Sequence, residues 1–509
     1  MHSTNLSGLS HCRTVCTLNL SSTDVTTDSL WAVGQLVNLR EVFLANTKVD
    51  STAPLGGCRG LQLLQLAGSA IDSDGVRLEG LECVRHVDLS NTAVSALTGL
   101  SSCASLTTLL LSKTKITTES LAEMGCHPVL EHLVLSENRI TSLAPIAQCH
   151  NLRRLYAKNT QVNSDGIAGL GALVYLEELN LAQSCVTSVS PLRQCAGLKR
   201  LDLYGTPVTA TGIVGLAEIP SLESLTLSKT MVTHLRALAG CPALKELHMK
   251  EGEISDGETT QQLGEIPTLT VLTLTHCSIA TLTGFEKLRQ LRKVNLWRSH
   301  ITTEGIQCLA SLPCLEEVDL AETRVTNVSA LFTCPAIRSL TLYSTGVGEL
   351  SDGVAQLRLL RYIDLANTAV KSVTALSRCY ALEVVNLSDT AVDDKGFFTP
   401  SHLSVLKKVF LSSTLLTTIG ALGECPLLEE VYAQNSPVTS EGIVGLERAT
   451  RLVKLNLANT PVQGGIARFV VCRQLQKVNL KSTDTSEEEI QFLRDNLPEC
   501  KVSKDKPKE

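Results

Sequence analysis

From Leu176 to Leu222 the chain states a pattern that recurs along most of its length. LEELNLAQSCVTSVSPLRQCAG, from Leu176 to Gly197, is followed by LKRLDLYGTPVTATGIVGLAEIPS, which runs from Leu198 to Ser221 and is slightly longer. Both units share the frame L-x-x-L-x-L-x-x-[TS]-x-V. Leu179 and Leu181 alternate with Glu178, Asn180 and Ala182, the period of two of a short strand with one buried face. After Val186 the apolar residues Val189, Leu192, Cys195 and Leu198 come every third position, which suits a 3₁₀ or extended return rather than an α-helix. In the longer unit Thr211 and Gly212 precede Ile213, Leu216 and Ile219, a spacing that predicts one to two helical turns. Strand and return therefore alternate, with short and long returns in turn, and each unit buries its apolar side only against its neighbours.

L-x-x-L-x-L at a period of twenty-odd residues is the signature of leucine-rich repeats, and the chain resembles that superfamily. The resemblance implies an α/β fold: a horseshoe or superhelical solenoid with a concave parallel β-sheet and a convex side of short helical, 3₁₀ and extended segments. The short units resemble those of bacterial internalin-type proteins. The long ones, with T-D/E-G-[IL]-x-x-L, resemble repeats of F-box-associated and related proteins. The mixture of 22- and 24-residue units, with Thr at the ladder position, is most similar to trypanosomatid-type leucine-rich repeat proteins.

Counted from Val15 there are 21 strand starts, running through Leu39 and Leu61 to Leu452 and Leu475 at a nearly constant spacing. The expected organisation is a partial N-terminal repeat or cap over 1–14, a single array of about 21 repeats over 15–502, and a disordered tail over 503–509. A terminal capping helix is expected near 486–497, because Ser486-x-x-Glu489 reads as a capping box before Ile490, Phe492, Leu493 and Leu497. Cys500, Lys501 and Val502 then offer one further strand-like layer. The ninth residue of the frame is Thr in fourteen cases and Ser in four. In the family this place is usually Asn, whose side chain bonds the backbone of adjacent turns, and Thr is expected to do part of that with one hydroxyl. The frame from Leu244 to Thr268 is irregular: it is overlong, with Met249 for a core Leu and Gly252 for Thr.

Composition narrows the function. With 509 residues, a net charge of −6 and 19% charged residues, the chain gives no electrostatic reason to expect nucleic acid or an anionic membrane as partner. The start MHSTNLSGLSHCRT lacks the basic and apolar regions of a signal peptide, and no run approaches the ~18 apolar residues of a membrane span. The expected location is intracellular and cytoplasmic; the sequence offers no support for cytoskeletal association. Ten of the 18 cysteines (Cys12, Cys58, Cys103, Cys149, Cys195, Cys241, Cys334, Cys379, Cys425 and Cys472) stand three residues before a strand start. Such positions two frames apart are separated by about 10 Å at a strand spacing of about 4.8 Å, beyond the ~7 Å Cα limit for a bridge. They are expected to be buried thiols used for packing. There is no C-x-x-C, no phosphate-binding glycine loop, no H-E-x-x-H and no G-x-S-x-G, so neither a metal, a cofactor nor catalysis is expected. Asn5, Asn19, Asn327 and Asn386 begin N-x-S triplets, two of which arise simply because outward strand positions hold Asn.

The outward strand positions are where binding is expected, since alternate residues of the strands face solvent. They hold Phe43, Tyr156, Tyr204, Trp297, Tyr343, Tyr362, Phe410 and Tyr432, eight of the 17 aromatic residues, among charges of both signs. Exposed aromatic rings supply interface hot spots. The candidate partner-binding residues are Tyr156, Tyr204, His248, Lys250, Trp297, Arg298, Tyr343, Tyr362, Phe410 and Tyr432, with the centre running from Tyr204 across His248 and Lys250 to Trp297. The expected function is a non-catalytic protein–protein interaction scaffold or recognition module binding a protein on its concave face. The long repeats suggest an alternative, a substrate-recognition subunit of a ubiquitin ligase. The internalin-like units suggest a secreted or surface adhesion protein.

Overall fold

The computed structural model describes residues 6–505 apart from 13, 126, 253, 255, 256 and 311. The chain divides into two compact units, Met1–Glu253 and Ile254–Glu509, and the division falls inside the irregular frame from Leu244. Each unit is a stack of short parallel strands. Among the described residues the first holds eleven, from Thr17–Asn19 to Glu246–Lys250, and the second eleven, from Val271–Thr275 to Lys501–Ser503. The register is that of the sequence frame: Leu179 stands opposite Leu155 on one side and Leu201 on the other.

From the second frame on, the strand starts and the two apolar residues that follow are buried, as at Leu176, Leu179 and Leu181, while Val15, Leu18 and Leu20 of the first frame are only half-buried. The return adds Val186, Val189, Leu192 and Cys195 to the same layer. Each such side chain contributes roughly 1.5–3 kcal/mol by leaving water, and it is the stacking of layers that removes it from water. The short return is 3₁₀, as expected, at Ser190–Gln194, where Pro191 begins the helix without needing to donate an amide. The long returns differ from expectation. Most are also 3₁₀, such as Val214–Glu218, and among the described residues the α-helices are Thr118–Glu123, Gly257–Leu263 and Glu487–Asn496.

The chain turns off each strand through a left-handed residue at the eighth position of the frame. All 21 frames have it, nineteen with a residue other than glycine, Arg298 at φ 55° and Glu322 at φ 54° among them. A left-handed side-chain-bearing residue is strained, and here the strain is offset by a backbone bond. The eighth amide donates to the carbonyl of the seventh residue of the next frame, Asn159 to Ala182 at 2.7 Å and Arg298 to Ala321 at 3.0 Å. The ladder threonines do one part of the asparagine's job, the bond within their own frame, and not the bond to the adjacent one. Thr206 and Thr345 donate to Leu203 and Leu342 of their own frame, at 2.8 and 2.7 Å, closing the turn internally. Asn138 does join two frames, donating to Leu111 at 2.7 Å and Leu135 at 2.9 Å while accepting from the Thr114 amide.

Nine of the ten frame cysteines are buried; Cys12 is exposed, so the packing account does not extend to it. The buried thiols also donate hydrogen bonds. Cys58, Cys195 and Cys334 reach the carbonyls of Val33, Leu170 and Leu309, one long frame earlier, at 3.1 to 3.4 Å. Those carbonyls also accept the amides of Leu36, Leu173 and Leu312, so a leucine in this slot fills the space and removes only the second bond. Burial pushes the Cys58 and Cys195 thiols up to about 11, so they stay protonated and unreactive at neutral pH.

At the C-terminal end Ser486 caps Glu487–Asn496 by accepting from the Glu489 amide at 3.3 Å. The reciprocal half of the expected capping box is replaced: the Glu489 carboxylate instead accepts from the amides of Gly465 and Ile466 at 3.0 and 2.9 Å. Lys501–Ser503 forms the further layer, pairing with Lys477–Asn479. Ser503 thus lies in a strand, Lys504 pairs with Glu487 at 3.4 Å and Asp505 accepts from the Ser482 amide, although the sequence placed 503–505 in the tail. Residues 506–509 of that tail lie outside the described residues, as do 1–5 and 13 of the N-terminal segment.

Candidate functional site

The outward face of each stack is built from the third, fifth and seventh residues of the frames. Where the fifth is Asn or Asp, its Oδ1 turns back to accept the amide two residues on: Trp297 on Asn295 and Tyr204 on Asp202, both at 2.9 Å. This satisfies a donor at the end of the strand and accounts for the asparagines on this face. Asn19 and Asn386 do the same for Ser21 and Ser388, while Asn5 lies outside the described residues.

The candidates fall into two sets. Tyr156, Tyr204, His248 and Lys250 belong to the first unit, and Trp297, Arg298, Tyr343, Tyr362, Phe410 and Tyr432 to the second. In the first unit the Tyr156 hydroxyl donates to Glu178, and the Lys229 ammonium lies 5.8 Å from the Tyr204 ring centre. His248 is half-buried, and Lys250 is exposed with Glu251 at 3.9 Å. A hollow of about 180 Å³ opens beside Tyr156 over Glu178, Asn180 and Arg200.

In the second unit the aromatic residues are held rather than free. Trp297 is half-buried: its indole donates to Glu322 at 3.1 Å, the His276 ring meets it edge-on at 4.6 Å, and the Arg298 guanidinium lies over it at 4.9 Å. Arg298 also pairs with Glu322, and these bonds hold the Glu322 carboxyl below its usual range. Tyr343 is 41% exposed, the most open of the five rings on this face. The Tyr362 hydroxyl donates to Asp364 at 3.2 Å; burial, then the Asp364 charge, push it up to about 12. Phe410 and Tyr432, adjacent across paired strands, stack with ring centres 4.9 Å apart and planes within 2°. Tyr432 donates to Glu430 at 2.9 Å, and Lys408 and Lys454 reach the same carboxylate at 3.1 and 3.3 Å. Burial raises the Glu430 carboxyl, but these three donors outweigh it and hold it low.

A hollow of about 300 Å³ lies between these groups, lined by Thr273, Lys293, Asn295, Glu317, Asp319 and Thr341. Burial, aided by the Asp364 charge, raises the Asp319 carboxyl despite the Ala321 amide it accepts from. Among the described residues no group of three or more His, Cys, Asp or Glu side chains is placed to hold a metal ion, and no helix is long and apolar enough to cross a membrane.

Sequence reasoning missed His276 and Glu322, which fix the Trp297 ring, and Lys501; Glu430, Lys454 and Lys477 stood among its outward charges of both signs but not among the candidate binding residues. The first two share the eighth frame position with Arg298 in neighbouring frames, so aligning frames by register rather than by outward strand position brings them out. The lysines share the third position of three consecutive frames.

No family model matches the chain, and no curated protein matches it. Solved structures do. The chain is similar to a plant peptide hormone receptor, RGFR1 in complex with RGF2, at 15% identity and a TM-score of 0.55, over 96% of this chain and 85% of that one. It is similar to TLR13 in a complex with ssRNA13 at 20% identity and a TM-score of 0.63, over 91% and 73%. A TDR receptor aligns over 92% and 85% at 15% identity and a TM-score of 0.53. With the parallel stacks and the frame register described above, these likenesses show the architecture of the chain: it has the leucine-rich repeat solenoid fold.

Proposed function

We propose that the protein is a non-catalytic recognition module that binds a protein partner on the outward strand face. The observation that carries this reading is the fixing of half-buried aromatic rings by charged neighbours on the second unit's face, at Trp297 and at the Phe410–Tyr432 pair. Rings held in one orientation lose little freedom on binding and present apolar area beside hydrogen-bonding groups, which is the character of interface anchors. The solved relatives at TM-scores above 0.5 include a peptide hormone receptor in complex with RGF2, which makes a polypeptide ligand a natural fit for this fold without identifying it. We further propose an intracellular location, a reading that rests on the unbridged cysteines buried in its layers.

The test is capture of partners on the immobilised full chain, repeated with Trp297→Ala and Phe410→Ala and with Trp31→Ala as a control on the return side, where Trp31 is 60% exposed. Loss of a retained protein with either face variant, but not with Trp31→Ala, supports the reading. Retention by all three variants overturns it.

A further inference from the structure

We propose that the strand face from Phe410 to Lys501 binds a short acidic peptide segment, its carboxylates on the lysine row and an apolar side chain on the Phe410–Tyr432 stack. The inference rests on the recognition-module reading and gives its partner a chemistry. The row is anomalous for the fold. In parallel register Lys454 stands opposite Lys477, and Lys477 opposite Lys501, so three like charges face one another across adjacent strands. Directly opposed like charges destabilise a sheet. Elsewhere in the same row of this unit the alternation is complementary: Lys293 opposes Glu317 at 2.7 Å and Lys408 opposes Glu430 at 3.1 Å.

Lys454 keeps one bond to Glu430, which already serves Lys408 and Tyr432. Lys477 and Lys501 are exposed, and among the described residues neither has a carboxylate within ion-pair distance. Lys481 is a further exposed ammonium on the Lys477 strand's exit. Asn456 and Asn479 commit their Oδ1 atoms to the amides of Ala458 and Lys481, so what they present outward is the amide donor. Tyr432, Lys454, Asn456, Lys477 and Asn479 enclose a hollow of about 150 Å³, a space suited to a carboxylate. A wider hollow beside Lys477 and Lys501 carries the one acidic residue of its lining, Glu499. The site is thus a set of donors and cations edged by an apolar ring pair, on a row whose own charges repel.

An acidic peptide fits better than a nucleic acid. The chain's net charge of −6 opposes the long-range approach of a polyanion, whereas two or three carboxylates with one apolar anchor need only this local patch. No arginine lies among the lysines and asparagines that line either hollow.

The experiment is fluorescence anisotropy on the full chain at about 100 mM salt, where exposed charges still act across about 10 Å. The probes are a short fluorescein-labelled peptide of Asp and Glu around one central Leu, the same peptide in Asn and Gln, and an oligothymidylate of equal charge. The acidic peptide should bind and the neutral one should not. Lys477→Glu with Lys501→Glu should weaken it at least tenfold, Phe410→Ala severalfold, and Lys371→Glu, exposed on the return side, not at all. The double reversal makes positions 454 and 477 an opposite-charge pair and leaves 477 and 501 alike, so the opposed like-charge pairs fall from two to one and the variant should melt at or above the parent. Should it melt lower, Lys477→Gln with Lys501→Gln takes its place, with the same tenfold loss expected. Failure of the acidic peptide to bind, equal binding of the neutral one, indifference to the lysine variants, or tighter binding of the oligothymidylate each overturns the inference. A protein captured from lysate that survives the lysine variants while the peptide fails overturns it and leaves the broader reading standing; failure of capture as well overturns both.

Discussion

His127 occupies the slot that cysteine fills in the neighbouring frames, and it shows what the slot demands. It is 1% exposed, its Nδ1 lies 3.3 Å from the Cys103 carbonyl, and burial lowers its pKa below the ordinary value. The unfolded chain then binds more protons than the native one between the depressed pKa and about 6.5, so stability falls as pH falls through that window. His86 and His132 are lowered as well, chiefly by burial, and act with the same sign. His127→Cys should flatten the decline in stability below about pH 6.5 without removing it, and urea titrations at a series of pH values check this. An unchanged slope would show that His127 is not among the groups responsible. Trp297 is a second residue whose surroundings set its cost. Its indole bond to Glu322 and edge contact with His276 predict that Trp297→Ala loses about 1–2 kcal/mol, more than a free surface side chain would. The sequence placed Trp297 on the outward face but not the groups that hold it, because a period of two locates a side chain on a face and says nothing of what the next frame's turn brings alongside.

At the scale of the element, the alternation of long and short units follows from one glycine and the residues before it. In the long return Asn163-Ser164-Asp165-Gly166, Asn163 accepts from the Gly166 amide at 2.8 Å, and Ser164 accepts from Thr187 and Ser188 of the following short unit at 3.0 and 2.9 Å. Gly166 itself accepts from Leu143 of the preceding short unit at 2.7 Å. The long unit therefore fastens both neighbours, which is why the repeat is best read as a pair of units. Gly212 and Gly442 stand at the same frame position, and a Cβ there would lie 2.1 and 1.9 Å from the carbonyls of Thr187 and Thr417. Gly212→Ala and Gly442→Ala should each cost about 1–3 kcal/mol, as overpacking does, while Gly8→Ala, with open space around it, should be neutral; denaturant midpoints decide. The motif was legible as a sequence pattern and as a family resemblance. Its mechanism was not, because it lies between units a whole frame apart and in a close approach of backbone that no pattern of polarity records. Glu489 illustrates the same limit: it stands at the glycine's place in the last frame, and its carboxylate serves the amides of Gly465 and Ile466 rather than its own helix.

For the whole molecule, the parallel stacks and their register were readable from the leucine frame alone, since a layer that buries its apolar side only against its neighbours leaves the chain one way to close. The division into two units was announced less directly, by Met249 and Gly252 in an overlong frame. The two tryptophans report on the units separately, Trp31 in the first and Trp297 in the second. With layers contacting only their neighbours, cooperativity is carried from layer to layer and weakens where the frame is irregular. Urea unfolding of Trp31→Phe, followed by Trp297, and of Trp297→Phe, followed by Trp31, should therefore give different midpoints once each variant's overall stability is matched by circular dichroism. Gly442→Ala should then lower the midpoint seen by Trp297 and leave that seen by Trp31 nearly unmoved, with Gly212→Ala doing the reverse. If each glycine variant shifts both midpoints together, the irregular frame transmits cooperativity as well as any other, and the chain unfolds as one block despite its division into two units.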